Sequence, residues 1–390
     1  MTSRHRLDPD SEVFVDGLRG VLAIAVLVSH AFDLGIRQSF GHDVPAMPLF
    51  WRTLHSTVGH GGFYVWGFFV ISGLCIHQSI ARDMARGAFQ WARYLYARVT
   101  RLYPLHLLAL LVAVIALPHG AEITANASVH PWRQLVATLF MLHGFTDAFP
   151  GFDPSWTLAN EAAYYVVWPL ALLLGAGSLL RAACISVLMT VVPALGVAVL
   201  WWVGGVSGST VLNGVWVIGV LFPTWLAGAA LAMNWQRVCQ WVTFRRWVLG
   251  IAMCVLNVAM VSVLKFYDTA PTFIDPLSVV SIPGWVIVLA GGRHLKLAIN
   301  EKLALRCKRL GLLSYPCYIL HMPLMCLTDW AVVTFLPSWL WAPPMARIAW
   351  LLLPSALILG GLGSWVEARL LKWRAGAIER VFVKPVGMAM

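Results

Sequence analysis

Charged side chains are scarce in this sequence. Asp, Glu, Lys and Arg make up 12% of the 390 residues while 59% are hydrophobic, against about 25% charge in a typical soluble domain. A chain so poor in charge cannot cover itself with polar surface, which excludes an ordinary soluble globular protein. Acidic residues are the scarcer kind, 17 against 28 Lys and Arg, for a formal charge of +11. The basic residues fall in short clusters between apolar runs rather than on one soluble face, so the excess reads as membrane orientation and not as a nucleic-acid surface. The seven cysteines (Cys75, Cys184, Cys239, Cys254, Cys307, Cys317, Cys326) form no CxxC pair and have no histidine at ligand spacing beside them, so neither a disulfide framework nor a zinc or other metal site is expected. No small-residue cleavage site follows the apolar run Val21 to Val28, and the first span is read as mature structure rather than a removable signal. Internal repeats and low-complexity stretches are also missing. The whole chain, 1–390, is expected to be one membrane domain with an N-terminal tail 1–13 and a C-terminal tail 371–390.

Apolar runs are what the sequence has in abundance. Several reach the roughly 20 residues that cross about 30 Å of hydrocarbon as helix, and backbone groups in lipid must bond internally, so these are helices. Spans are placed near 14–35, 60–81, 102–118, 163–180, 182–203, 212–232, 248–266, 278–291, 310–334 and 347–370. The expected fold is all-α, a polytopic transmembrane helical bundle of about ten spans. By the positive-inside rule, four clusters face the cytoplasm: Arg82/Arg86/Arg93/Arg98/Arg101, Arg237/Arg245/Arg246, Arg293/Lys296/Lys302/Arg306/Lys308/Arg309 and Lys372/Arg374/Arg380/Lys384. Both termini are then cytoplasmic. Trp132 to Phe149 is apolar enough to cross, but a full crossing would put Arg237/Arg245/Arg246 outside, so a re-entrant or half-buried segment is expected there.

Ionisable side chains inside apolar spans cost several kcal/mol and are functional candidates by default. In Asp16 to His30, DGLRGVLAIAVLVSH, Arg19 and His30 lie eleven residues apart, about three helical turns, on one face and separated by roughly 16 Å along the axis. Snorkelling by Arg19 and an interhelical hydrogen bond by His30 explain the pair equally well. In Trp91 to Pro104, WARYLYARVTRLYP, Arg98 and Arg101 stand one turn apart, suited either to bidentate phosphate contacts or to anionic lipid head groups at an interfacial helix. In Ser155 to Pro169, SWTLANEAAYYVVWP, the residues Glu161, Tyr164, Tyr165 and Trp168 share a face; a structural cap or a tyrosine hydrogen bond for Glu161, and an interfacial belt for the aromatics, are the plain alternatives. In Leu310 to Pro323, LGLLSYPCYILHMP, Ser314, Tyr318 and His321 share another face. The run FYVWGFFVISG, Phe63 to Gly73, reads mainly as helix packing, with Ser72 and Gly73 permitting close approach.

In this order, these groups resemble the acyltransferase family 3 membrane proteins, which O-acylate saccharides and some other acceptors, over essentially the whole chain. The family's opening LDGLRG with its arginine-to-histidine spacing is matched by Val15-Asp16-Gly17-Leu18-Arg19-Gly20 closing at His30. FFVxSG is matched by Phe68 to Gly73, and RxxRxYP by Arg98, Arg101, Tyr103 and Pro104. WSLxxExxFYxxWP is matched by Trp156, Leu158, Glu161, Tyr164, Tyr165, Trp168 and Pro169. GxxSYxxYxxHxP is matched by Gly311, Ser314, Tyr315, Tyr318, His321 and Pro323, and Glu367 fits the closing element. Two positions depart: Trp66-Gly67 replaces the acidic residue usual before FFVxSG, and Thr157 the usual serine.

The resemblance implies an acyl-coenzyme A donor, acetyl in the simplest case, held by Arg19, Arg98 and Arg101 through charge-assisted hydrogen bonds. Acyl transfer to a hydroxyl requires a proton acceptor, and His30 is assigned that role. Glu161 is assigned to orienting a histidine or binding the acceptor, or to acting as base itself, with Tyr164, Ser314, Tyr318 and His321 lining the cavity. The acceptor is expected to be a saccharide or lipid-linked saccharide of the envelope or on its way out, at a bacterial inner membrane, with membrane lipids the other partner. Transfer is direct or passes through an acyl-histidine. A small secondary metabolite or lipid as acceptor, and a proton-coupled transporter, are the rival readings. Intramembrane Arg, His and Glu also mark transport pathways, although no repeated span pattern or paired interrupted helices accompany them here.

Overall fold

A computed structural model describes residues 7–41, 43–87, 89–117, 119–120, 131–143, 148–175, 178, 180–185, 188, 222–267 and 277–382. Among these residues the regular structure is entirely helical. The chain runs through α1 (Pro9–Phe40), α2 (Leu49–Val58), α3 (Gly61–Ala85), α4 (Trp91–Ile115), α5 (Pro131–Leu139), α6 (Trp156–Leu174), α7 (Phe222–Met233), α8 (Trp235–Trp241), α9 (Phe244–Phe266), α10 (Ile282–Gly291), α11 (Glu301–Phe335), α12 (Pro344–Ile358) and α13 (Ser364–Phe382). Helix α1 starts where its sequence says it should: Pro9 needs no amide partner at the first position, and the Asp8 side chain accepts from Ser11 N at 2.9 Å. It therefore begins inside the stretch expected to be a tail. At the other end of the chain α13 stays helical through Phe382, past the expected boundary at residue 371. A π-helical stretch, Leu359–Gly363, joins it to α12.

Among the described residues, eight stretches are long and apolar enough to cross a bilayer: Pro9–Phe40, Leu49–Ala85, Trp91–Ile115, Asp153–Leu174, Phe244–Phe266, Ser278–Ile299, Glu301–Phe335 and Pro344–Phe382. They overlap eight of the ten expected spans. The expected span 182–203 lies almost wholly outside the described residues, and of 212–232 only the part from Phe222 is described, as the apolar helix α7. The stretch 132–149 holds α5, nine residues or about 14 Å of helix, too short to cross. Its far end folds back, with Phe149 N donating to Thr138 Oγ1 at 3.2 Å.

Close backbone approaches at glycines help set the bundle's geometry. Helices α1 and α11 meet at Gly20, where an added Cβ would lie 2.6 Å from Leu310 O. Helices α3 and α7 meet at Gly73 and Gly228, where a Cβ on either would fall within 2.0 Å of a carbonyl oxygen of the other helix. Around that crossing, Trp66, Trp168 and Trp225 are fully buried.

The basic clusters gather at one end of the bundle. Ala298 N donates to Asp10 Oδ1 at 2.7 Å, tying the segment before α11 to the start of α1. Arg293 donates to Cys239 O at 2.5 Å and His294 Nε2 bonds Val242 O at 3.0 Å, bringing the region of Arg237, Arg245 and Arg246 to the same place. The end of α3, the start of α4 and the end of α13 converge there too, through a cavity lined by arginines from each. Away from that cavity, the buried Asp329 carboxylate accepts from Arg347 at 2.9 and 2.6 Å and pairs with His119 Nε2 at 2.7 Å, joining α11, α12 and the chain after α4.

Candidate active site

The cavity, about 380 Å³, is walled by α1, α3, α4, α6, α11 and α13, within the usual size range of small-molecule sites. Five guanidiniums line it: Arg19 from α1, Arg82 from α3, Arg98 and Arg101 from α4, and Arg374 from α13. Among its described lining residues Glu161 is the one carboxylate. Glu367, one of the more deeply buried carboxylates, lies within electrostatic reach of Arg101, Arg19 and Arg374. Like charges at this density repel in a medium of low dielectric, so the cavity is arranged for an anion carrying several charges.

Helical geometry orders the arginines by depth. Arg82 is three residues from the end of α3, Arg98 seven from the start of α4, and Arg19 and Arg101 each ten from the start of their helices. At about 1.5 Å per residue this is a ladder of positive charge descending some 10 Å into the bundle. Arg98 is braced: its Nη2 donates to Ser79 Oγ at 3.1 Å, and its guanidinium lies over the rings of Tyr94 and Tyr165 at 5.1 and 5.5 Å. Arg19 has Asp16 at 4.0 Å, one turn back on the same helix.

Below the ladder sits a polar cluster. Glu161 accepts from Ser72 Oγ and, at 2.6 Å, from Tyr165 OH. Trp225 Nε1 donates to Ser72 Oγ at 3.1 Å, a contact set up by the Gly73–Gly228 crossing one residue away. Tyr318 OH shares a 2.8 Å hydrogen bond with Thr157 Oγ1, so the threonine that departs from the family pattern still places a hydroxyl in the site. Val65, Phe68 and Tyr318 line the deep end.

The two histidines stand just past that end. His30 and His321 face one another with ring centroids 5.2 Å apart, and His321 is 6.0 Å from the Tyr318 ring, one turn along α11. A Cβ built on Gly61, one turn before Val65, would come within 3.3 Å of His30 Nε2. His321 Nδ1 lies 2.7 Å from Tyr318 O. A carbonyl only accepts, so Nδ1 carries the proton and Nε2 presents a bare lone pair, buried without a hydrogen-bond partner.

Of the residues assigned from sequence, Arg19, Arg98, Arg101, Glu161, Ser314 and Tyr318 line one cavity, while His30 and His321 pair beside its deep end. Tyr164 is not a lining residue. It is 1% exposed and packs on Phe69, Phe222 and Trp225, and the neighbouring Tyr165 takes the cavity position. Sequence reasoning passed over Arg82 and Arg374, read only as orientation charges, and Ser72, read as a packing residue. Among the described residues no group of three or more His, Cys, Asp or Glu stands where a metal ion could be held.

Residues 12–369 match a family described as an acyltransferase domain. A stretch of 159 residues is 33% identical to the acyltransferase MdmB of Streptomyces mycarofaciens, covering 40% of this chain and 37% of that protein. Another of 179 residues is 27% identical to protein 2 in the picA locus of Rhizobium radiobacter, covering 41% of this chain and 83% of the relative. The chain thus spans little more than a third of the first relative's length. No solved structure matches. With the family matched across nearly the whole chain, and a helical membrane bundle beneath it, this protein belongs to the acyltransferase 3 family of integral membrane proteins.

Proposed function

We propose that the protein moves an acyl group, acetyl in the simplest case, from acyl-coenzyme A to a hydroxyl of an envelope or exported saccharide. The observation that carries this reading is the cavity with five arginines and one lining carboxylate, whose charge suits the phosphates of a coenzyme A thioester. The basic end is the cytoplasmic face by the positive-inside rule, so the donor enters from inside the cell and its thioester reaches down toward Ser72, Glu161 and Tyr318. The acceptor meets it from the other side, at His30.

Chemistry at that point needs a base and a place for developing charge. The acceptor oxygen attacks the thioester carbonyl as His30 takes the hydroxyl proton. The new C–O bond forms, the C–S bond breaks, and the thiolate leaves with the proton that His30 returns. The His321 ring packs beside that imidazole and is itself backed by Tyr318. Glu161, held by Ser72 and Tyr165, orients the polar cluster under the thioester.

The test is transfer from labelled acetyl-coenzyme A in membranes carrying the protein, with extracted glycans, lipids and small molecules screened for label. Label in glycans, matched by free coenzyme A release, is the expected result. Label in lipids or small metabolites alone would overturn the saccharide acceptor, and no protein-dependent release of coenzyme A would overturn the donor.

A further inference from the structure

Resting on the donor reading above, we propose that Arg374, carried by the last helix, is a phosphate-binding residue of the donor site, so that α13 forms one wall of the pocket around the nucleotide part of the thioester.

Arg374 belongs to none of the motifs that mark the family in this sequence, yet it lines the same cavity as Arg19, Arg98 and Arg101. It sits eight residues from the end of α13, about 12 Å in from that terminus, inside the bundle rather than at its mouth. Helix α13 packs against α4 and α11, and Phe382 rests on Tyr96 with ring centroids 5.6 Å apart, so the helix that bears Arg374 is fixed to the wall that bears Arg98 and Arg101.

The surroundings of Arg374 are short of negative charge. Arg101 and Arg98 are within electrostatic reach, and Glu367, two turns back on α13, is the nearby carboxylate. Glu367 also faces Arg101 and Arg19, and although Glu161 and Asp16 bear on those arginines as well, three carboxylates against the five guanidiniums of the cavity leave positive charge over. The Nε of Arg374 is buried without a hydrogen-bond partner. A guanidinium held among guanidiniums with a buried N–H left over is a costly arrangement unless an acceptor with several oxygens completes it. A phosphate does so with the fork geometry that arginine matches.

A purely structural role, as counterion to Glu367, makes a different prediction, and the donor itself separates the two. S-acetyl-pantetheine carries the same thioester as acetyl-coenzyme A and none of its phosphates. Steady-state rates with both donors would be measured for the wild type, Arg374→Ala and Arg374→Lys, purified in detergent and checked for monodispersity. The wild type should strongly prefer acetyl-coenzyme A. Arg374→Ala should raise KM for acetyl-coenzyme A about 10- to 100-fold and leave kcat/KM for S-acetyl-pantetheine within about twofold, and Arg374→Lys should lie between. Should the alanine variant fail to fold, the lysine variant carries the same comparison. Equal losses on both donors would overturn the assignment of Arg374 while leaving the donor reading intact. A wild type indifferent to the phosphates would overturn the donor reading itself, and this inference with it.

Discussion

At the scale of single residues, position on a helix decides chemistry. Tyr164 and Tyr165 are neighbours in sequence and both buried, but only Tyr165 donates to Glu161 and lines the cavity. Tyr165→Phe should therefore lower kcat about tenfold by removing one charge-assisted hydrogen bond, whereas Tyr164→Phe should change it less than about twofold; steady-state rates for the two variants check this. A face drawn by helical periodicity contains both tyrosines, since steps of three and four residues straddle the true axis, and only the neighbouring helices α3 and α7 choose between them. Glu367→Gln acts on the cationic cavity itself: with that counter-charge removed, Arg19, Arg101 and Arg374 repel more strongly. The free protein should lose about 3 kcal/mol of stability, part of it recovered on adding coenzyme A, as thermal denaturation would show. Arg82 and Arg374 were not legible as site residues because a loop arginine that orients a span and one that reaches into a cavity have the same sequence signature. The spacing of Arg19 and His30, by contrast, was enough to place both on one side of α1.

At the scale of elements, the close crossing of α3 and α7 is the joint on which the polar cluster depends. A Cβ at Gly73 would come 2.0 Å from Trp225 O, so even Gly73→Ala must push the helices apart. That should cost about 1–3 kcal/mol and pull the Trp225 indole off Ser72, with activity falling further than stability alone accounts for. Thermal denaturation and turnover measured side by side test this. The sequence marked Ser72 and Gly73 as small residues for close packing, which holds for Gly73. Ser72 also faces Glu161, a partner 89 residues away that no local pattern could name. Hydropathy found most spans because the bilayer imposes a length, and the helix read over Trp91 to Pro104 and the span placed at 102–118 are one element, α4, whose arginine-rich first turns are continuous with the apolar remainder.

At the scale of the whole molecule, the gathering of basic clusters at one end makes one feature serve two purposes, orienting the bundle and supplying the cavity with cations. The Asp329–Arg347–His119 set, away from the cavity, is a strut of a different kind. Asp329→Ala leaves the Arg347 guanidinium buried without its partner and should cost about 3–5 kcal/mol, lowering thermal stability with little change in KM for the donor in the protein that remains folded. The central claim is that a cationic donor cavity ends at a proton-accepting imidazole, and two readings on one preparation test it most directly: equilibrium binding of coenzyme A and its release from acetyl-coenzyme A, for the wild type and for His30→Ala. The account predicts that His30→Ala binds coenzyme A as the wild type does while turnover falls by about 10²- to 10⁴-fold. Turnover at the wild-type rate in His30→Ala would contradict it.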